Sequence, residues 1–244
     1  MLLSQNVFSQ QLKVENVTAL AADKQGNCYV VTGNGVAKYN DNLELQSRHT
    51  TTFGKIESVD VLDPFKVLFF CKNFLRVFLL DNKLSALGNP IFLPDVNVLK
   101  PSAVCRSAEN GMWVVDAYRQ QLLYFDFTLN TTREAASLAN YSNSSATYML
   151  ERDGKLLINF SGKSIAVFDR FGALLHLFSV ESDGWFDLQG DKLYYLFNKK
   201  LYAQNILAWS ETPQIVEQNV DLCAIFNAAM YIYRNGAVEK VFVK

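Results

Sequence analysis

Apolar residues along this chain come in short bursts separated by Gly, Asp, Asn and Lys. Cys28–Val31 (CYVV), Val67–Cys71 (VLFFC), Met112–Val115 (MWVV) and Leu193–Phe197 (LYYLF) are such bursts, and Leu156–Phe160 (LLINF) is broken only by Asn159. Continuous apolar runs of this length, bounded by turn residues and rich in Val and aromatics, predict strands buried on both faces. The segments after them alternate apolar and polar, as half-buried strands do. A helix needs apolar positions at 3.6-residue spacing over ten or more residues. Only Thr132–Tyr141 comes near this, and it reads as a turn-rich loop. The pattern predicts an all-β chain.

The bursts recur at a fixed interval. Units of a short apolar strand, a Gly/Asp/Asn turn, a strongly apolar strand, a polar turn and a further strand begin near 17, 57, 101, 146, 184 and 220. Four strands of about five residues with hairpin loops fill roughly 40 residues. The sixth unit supplies only three strands: Asp221–Phe226, Met230–Arg234 and Val238–Val243. Val7–Val14 (VFSQQLKV) precedes the first unit and can provide the missing fourth. Joining the two ends of the chain in one blade closes a ring and satisfies its edges. The expectation is a six-bladed β-propeller of four-stranded antiparallel blades, formed as a single domain over residues 1–244, with residues 7–14 completing the last blade.

The third unit, GMWVVDAYRQQLLYFD (Gly111–Asp126), resembles the repeat of NHL propellers, and the whole is similar to the NHL or TolB-like six-bladed type. The fourth unit, DGKLLINFSGKSIAVFDRFG, follows the pattern with Asn159 in place of the Asp. Units two, five and six depart further. The resemblance implies a fold and no single activity: such propellers include protein-binding modules, envelope proteins associated with sugars or peptidoglycan, and lactonase-type hydrolases.

Composition narrows the classes. Half of the 244 residues are hydrophobic and 19% are charged, with 23 basic against 24 acidic side chains. This is too apolar for a disordered chain and too neutral for a tail-like nucleic-acid binder. No apolar run approaches the roughly 18 residues of a membrane span. The four cysteines, Cys28, Cys71, Cys105 and Cys223, each lie in an apolar run without a C-x-x-C pair, so they read as buried free thiols. The opening MLLSQNVFSQQ lacks a charged n-region, but Val7-Phe8-Ser9 resembles the end of an export signal. An exported, periplasmic or envelope protein is slightly favoured; the rival reading is an ordinary strand in a cytoplasmic protein.

In the propeller geometry that the resemblance implies, the second-to-third-strand loops and the blade-to-blade links share one face, the top. The former carry Lys72, Arg119, Lys163, Lys199, Lys200 and Arg234, with Phe74 and Tyr118 among them and Asp116 as their only acid. Turns do not require Lys or Arg, so a basic rim for a protein or an anionic glycan-like partner is expected, the alternative being solvated loop tips. Arg119 alternatively bridges to Asp116 as a structural arginine. Six cations in a neutral chain fall short of a nucleic-acid stripe. The long links Arg48–Ile56, Pro94–Lys100, Leu138–Ser145 and Pro213–Asn219 would add Phe53, Val98, Leu99, Tyr141 and Trp185 to that face, or use them to plug blade junctions. Acids cluster in the opposite turns, where Asp and Asn cap their own backbone.

Channel-facing positions at the starts of the first strands are Thr18, Ser58, Asp60, Ser102, Thr147, Asp187 and Asp221. Asp60, Asp187 and Asp221 could hydrogen-bond to neighbouring backbone, or else converge on Ca²⁺ or another divalent cation, which takes several oxygen ligands. That would give a metal-dependent lactonase- or esterase-type hydrolase, the alternative to a binding scaffold without cofactor. Lactonase-type propellers add a Glu in a first strand, and none is read there, Glu57 lying in the preceding loop. There is no G-x-S-x-G and no H-E-x-x-H.

Overall fold

The computed structural model describes residues 10–130, 132–141, 145–161, 163–226 and 229–242. Twenty-four strands among them form six four-stranded antiparallel sheets. Five sheets each take four consecutive strands. The innermost strands are β2 (Ala19–Ala22), β6 (Ser58–Asp60), β10 (Pro101–Ser107), β14 (Ala146–Arg152), β18 (Phe186–Gln189) and β22 (Leu222–Phe226). The sixth sheet combines β22, β23 (Ala229–Arg234) and β24 (Ala237–Phe242) with β1 (Gln11–Lys13) as its outer strand. Gln11, Leu12 and Lys13 lie opposite Glu239, Val238 and Ala237. The chain is thus a six-bladed β-propeller closed by its N-terminal strand; residues 7–9 of the expected strand lie outside the described residues.

Period-two alternation explains why the second strands read as unbroken apolar runs. Along β11 (Gly111–Asp116), Trp113 and Val115 pack towards blade four while Met112 and Val114 pack towards blade two. In β19 (Lys192–Phe197), Leu193 and Tyr195 face blade four, and Tyr194 and Leu196 face blade six. Each blade is therefore buried on both sides, and six separate cores form, one between each pair of neighbours around the ring. All four cysteines are free and buried in these cores, and burial pushes the Cys71 thiol up to about 11.

The outer strands differ from expectation. Thr132–Ser137 forms β13 and Gln214–Gln218 forms β21, where the sequence suggested a loop and a blade link. As fourth strands they touch one neighbour and solvent, so TREAAS and QIVEQ need no apolar run.

The acidic turns are built by a recurring motif. At Asn40, Asp81 and Asp169 the side-chain Oδ1 accepts the backbone N–H groups two and four residues on, at 2.8–3.0 Å. The third residue after the cap adopts a left-handed φ: Leu43 at 55°, Leu84 at 62° and Gly172 at 90°. Leucine is unfavourable in that conformation, but Leu43 and Leu84 are buried there in inter-blade cores. Asp81 and Asp169 therefore serve their own turns, whereas Asp41, Asp63 and Glu109 of the same face also pair with Lys240, Arg106 and Arg133.

Candidate functional site

The channel along the ring axis is narrow at its middle and widens, on the face opposite the top, into a recess of about 310 Å³ lined in part by Ala22, Leu62, Arg152, Leu188 and Phe226. Between the innermost strands lies a cavity of about 20 Å³, lined in part by Leu20, Asp60, Tyr148, Arg152 and Asp187. That is room for about one water molecule. Asp60 accepts the amide hydrogens of Leu62 at 2.8 Å and of Arg106, on blade three, at 2.9 Å. Asp187 accepts the Leu188 amide at 2.7 Å and meets Arg152 Nε at 3.4 Å. Burial raises the Asp187 carboxyl above the usual aspartate range, with the Arg152 charge opposing it. Burial alone would lower the Arg152 pKa, but the Asp187 and Asp60 carboxylates outweigh it and the net shift is upward. Asp221 stands apart from this lining. It precedes β22 and pairs with Lys199 Nζ at 2.8 Å.

Of the expected carboxylates, the fold brings Asp60 and Asp187 to one cavity and places Asp221 elsewhere. Among the described residues no group of three or more His, Cys, Asp or Glu is close enough to hold a metal ion. Sequence reasoning missed Arg152 and Tyr148 in the channel wall. It also missed that Glu151 belongs to the first strand β14, although its side chain turns away to blade three. Glu151 accepts the Trp113 indole hydrogen at 2.7 Å and the Ala108 amide at 3.1 Å.

The top face is more rigid than a set of loop tips. In every blade, an apolar residue leaving the outer strand donates its N–H to the second-to-third loop of the same blade. The pairs are Ile56 to Gly33, Leu93 to Leu75, Leu138 to Gln120, Val180 to Lys163, Val220 to Lys199 and Val14 to Gly236, at 2.7–3.2 Å. The blade links are thereby fastened onto the loops that carry the rim. Val98 is buried, Tyr141 packs edge-on against Phe168 and Trp185 packs on the core between blades five and six, so these three plug junctions. Phe53 packs into the core between blades one and two. Leu99 remains 67% exposed.

The rim cations divide into two groups. Asp116 is buried and accepts the Tyr118 and Arg119 amides at 2.9 and 3.3 Å, and Arg119 Nε lies 3.8 Å from its carboxylate. Lys199 is held by Asp221, whose hydrogen bond raises the amine's pKa. Arg234 pairs with Glu217 of blade five at 3.3 Å and Glu239 of blade six at 2.8 Å. Three of the six expected cations are thus compensated. Lys72, Lys163 and Lys200 make no ion pair among the described residues. Beside them Tyr118 is 79% and Phe74 47% exposed.

No protein-family model and no curated protein matches the sequence. Solved structures match in shape. Streptogramin B lyase superposes with a TM-score of 0.63 at 11% identity, covering 97% of this chain and 86% of that one. A catalytically inactive histidine-to-alanine variant of virginiamycin B lyase from Staphylococcus aureus, with quinupristin, gives 0.63 at 12% identity over 96% and 88%. The β-propeller domain of Myceliophteria thermophila Cps50 (Swd1) gives 0.63 at 11% identity over 96% and 100%. Likeness at such identities speaks to architecture alone. By its own strand order and by these superpositions, the chain is a β-propeller, and one of six blades.

Proposed function

We propose that this propeller is a non-enzymatic binding scaffold whose top face receives a protein or an anionic glycan-like partner. The observation that carries the reading is the set of uncompensated top-face lysines, Lys72, Lys163 and Lys200, on loops fastened by a repeated hydrogen bond and flanked by exposed Phe74 and Tyr118. Rigid loops bearing cations of one sign attract anionic partners by steering, and exposed aromatics are common interface anchors.

The alternative is a metal-dependent lactonase- or esterase-type hydrolase centred on Asp60, Asp187 and Asp221. Asp60 and Asp187 lining one cavity favour it; the ion pair of Asp221 with Lys199 does not. The lyase likeness adds little, since a histidine matters in that enzyme's inactive variant. Here His49 and His176 sit in the fourth strands β5 (Leu45–Thr50) and β17 (Leu174–Ser179), away from the axis.

The test is binding to immobilised heparin and to polyglutamate, compared between the wild type and the triple variant Lys72→Glu, Lys163→Glu, Lys200→Glu. We expect a loss of at least about tenfold in affinity, with a melting temperature nearly unchanged because Lys163 is exposed and Lys72 and Lys200 are only half-buried and unpaired. Equal binding by both proteins removes the rim. Turnover of lactone or ester substrates that depends on added Ca²⁺ and is lost in Asp60→Asn would establish the hydrolase instead.

A further inference from the structure

Strand β8 (Arg76–Leu80) opens at the top of blade two with an arginine that no rim pattern singles out. Its Cζ lies 4.9 Å from the Phe53 ring centroid and 4.6 Å from that of Phe92. Phe92 is the cross-strand partner of Arg76 on β9 (Ile91–Phe92). Phe53 arrives from the link between blades one and two and is itself braced by Phe74 and Phe78, at 6.0 and 5.4 Å between centroids. Gly54, at φ 70°, lets the Phe74 ring close over this link: a Cβ there would stand 2.7 Å from the ring. The guanidinium is thus held against aromatic surfaces that four segments build together.

What it lacks is a partner. Arg119, Arg152 and Arg234 each face a carboxylate, whereas the Arg76 side chain makes no ion pair or hydrogen bond among the described residues. Nor do its nitrogens belong to the buried polar atoms left unsatisfied, so its N–H groups open to solvent. Glu57 and Asp95 on the adjoining segments do not reach it, while Lys55 and Lys72 flank the same corner without ion pairs of their own. A guanidinium stacked on rings keeps its planar donors in a fixed fork, which fits a carboxylate with two parallel hydrogen bonds. Stacking also strengthens where the rings exclude water.

We infer that the top corner of blade two is a carboxylate-recognition site for an acidic peptide segment of a partner protein, with Arg76 as the recognising group. The inference rests on the reading of the top face as a binding surface and assigns one place and one chemistry to it. Exposed Phe74, and Leu99 and Tyr118 on the top of blade three, offer apolar contacts of the kind a peptide uses and a bare anion does not. The few unpaired cations fall short of what a nucleic acid needs.

The probe is a fluorescein-labelled twelve-residue peptide of alternating glutamate and leucine, followed by fluorescence anisotropy, with the glutamine counterpart as control. The wild type should bind the glutamate peptide at least about tenfold more tightly than the control, and Arg76→Lys should lose most of that difference, since lysine cannot supply the fork. Arg76→Lys keeps the charge and an aliphatic stem on the rings, so an unchanged melting temperature certifies the fold. Lys163→Glu, on another blade, should cost less than Arg76→Lys. If Arg76→Lys binds like the wild type while Lys163→Glu does not, the basic rim stands and the Arg76 site is overturned. No preference for glutamate in the wild type overturns both. An oligothymidylate of equal charge that binds as tightly, and is weakened equally by Arg76→Lys, overturns the peptide assignment.

Discussion

Glu151 of blade four accepts the indole hydrogen of Trp113 of blade three at 2.7 Å, and both side chains are buried. The same carboxylate takes the Ala108 amide, so one acid satisfies two donors across a blade boundary. Removing the acceptor leaves the buried Trp113 indole hydrogen without water to replace it. Glu151→Ala should destabilise the protein by about 1–3 kcal/mol. Glu151→Gln, which keeps one acceptor, should recover part of that. Chemical denaturation monitored by Trp fluorescence checks both, and a loss under about 1 kcal/mol for Glu151→Ala would contradict the role.

Asp187 sets a pH dependence with a definite sign. Its carboxyl is raised by burial, against the pull of Arg152. Between the unfolded aspartate value of about 3.9 and the raised folded value, the native state binds more protons than the unfolded one. Stability from this group is therefore present at acid pH and falls as pH rises through that window. Asp187→Asn should flatten this fall. Melting temperatures from pH 4 to 8 decide it; parallel curves for the two proteins would refute the assignment.

Much of the architecture was legible because each second strand lies between two blades and so carries apolar residues at every position. Val67–Cys71 and Leu193–Phe197 announce themselves for that reason. The fourth strands β13 and β21 were not, since one face meets solvent and their composition is that of a loop. The candidate site was less legible. Spacing named Lys199 and Arg234 but could not show that Asp221, Glu217 and Glu239 neutralise them, because those acids come from other strands and, for Glu217, another blade. Arg76 was missed for the same reason: its meaning lies in Phe53 and Phe92, 23 and 16 residues away in sequence. Glu151 is not distinguished in the sequence from the acids of the turn beside it, where Asp153 and Gly154 take left-handed φ.

Gly111 shows how tightly the third blade is drawn. A Cβ there would stand 2.3 Å from the Phe125 carbonyl oxygen and 2.6 Å from Tyr124 Oη. Gly111→Ala should cost about 2–3 kcal/mol by forcing the hairpin apart, read as a lower denaturation midpoint. A neutral result would mean that the strand can move aside.

Deleting residues 1–13 should bare the outer edge of β24 and strip Leu12 from the core between blades six and one. An open edge invites pairing with another chain. The shortened protein should melt lower and elute partly as oligomers in size-exclusion chromatography. A monomer of wild-type stability would show that the closing strand is dispensable.

The pairing of β1 with β24 also orders events during biosynthesis. Gln11 and Glu239, joined by a side-chain hydrogen bond, are 228 positions apart. At a ribosomal rate of roughly 5–20 residues per second, the first strand waits on the order of ten to fifty seconds for its mate to be made. Five blades can assemble in sequence during that interval. The last step joins β1 to β24, and until then the nascent chain carries an unclaimed strand.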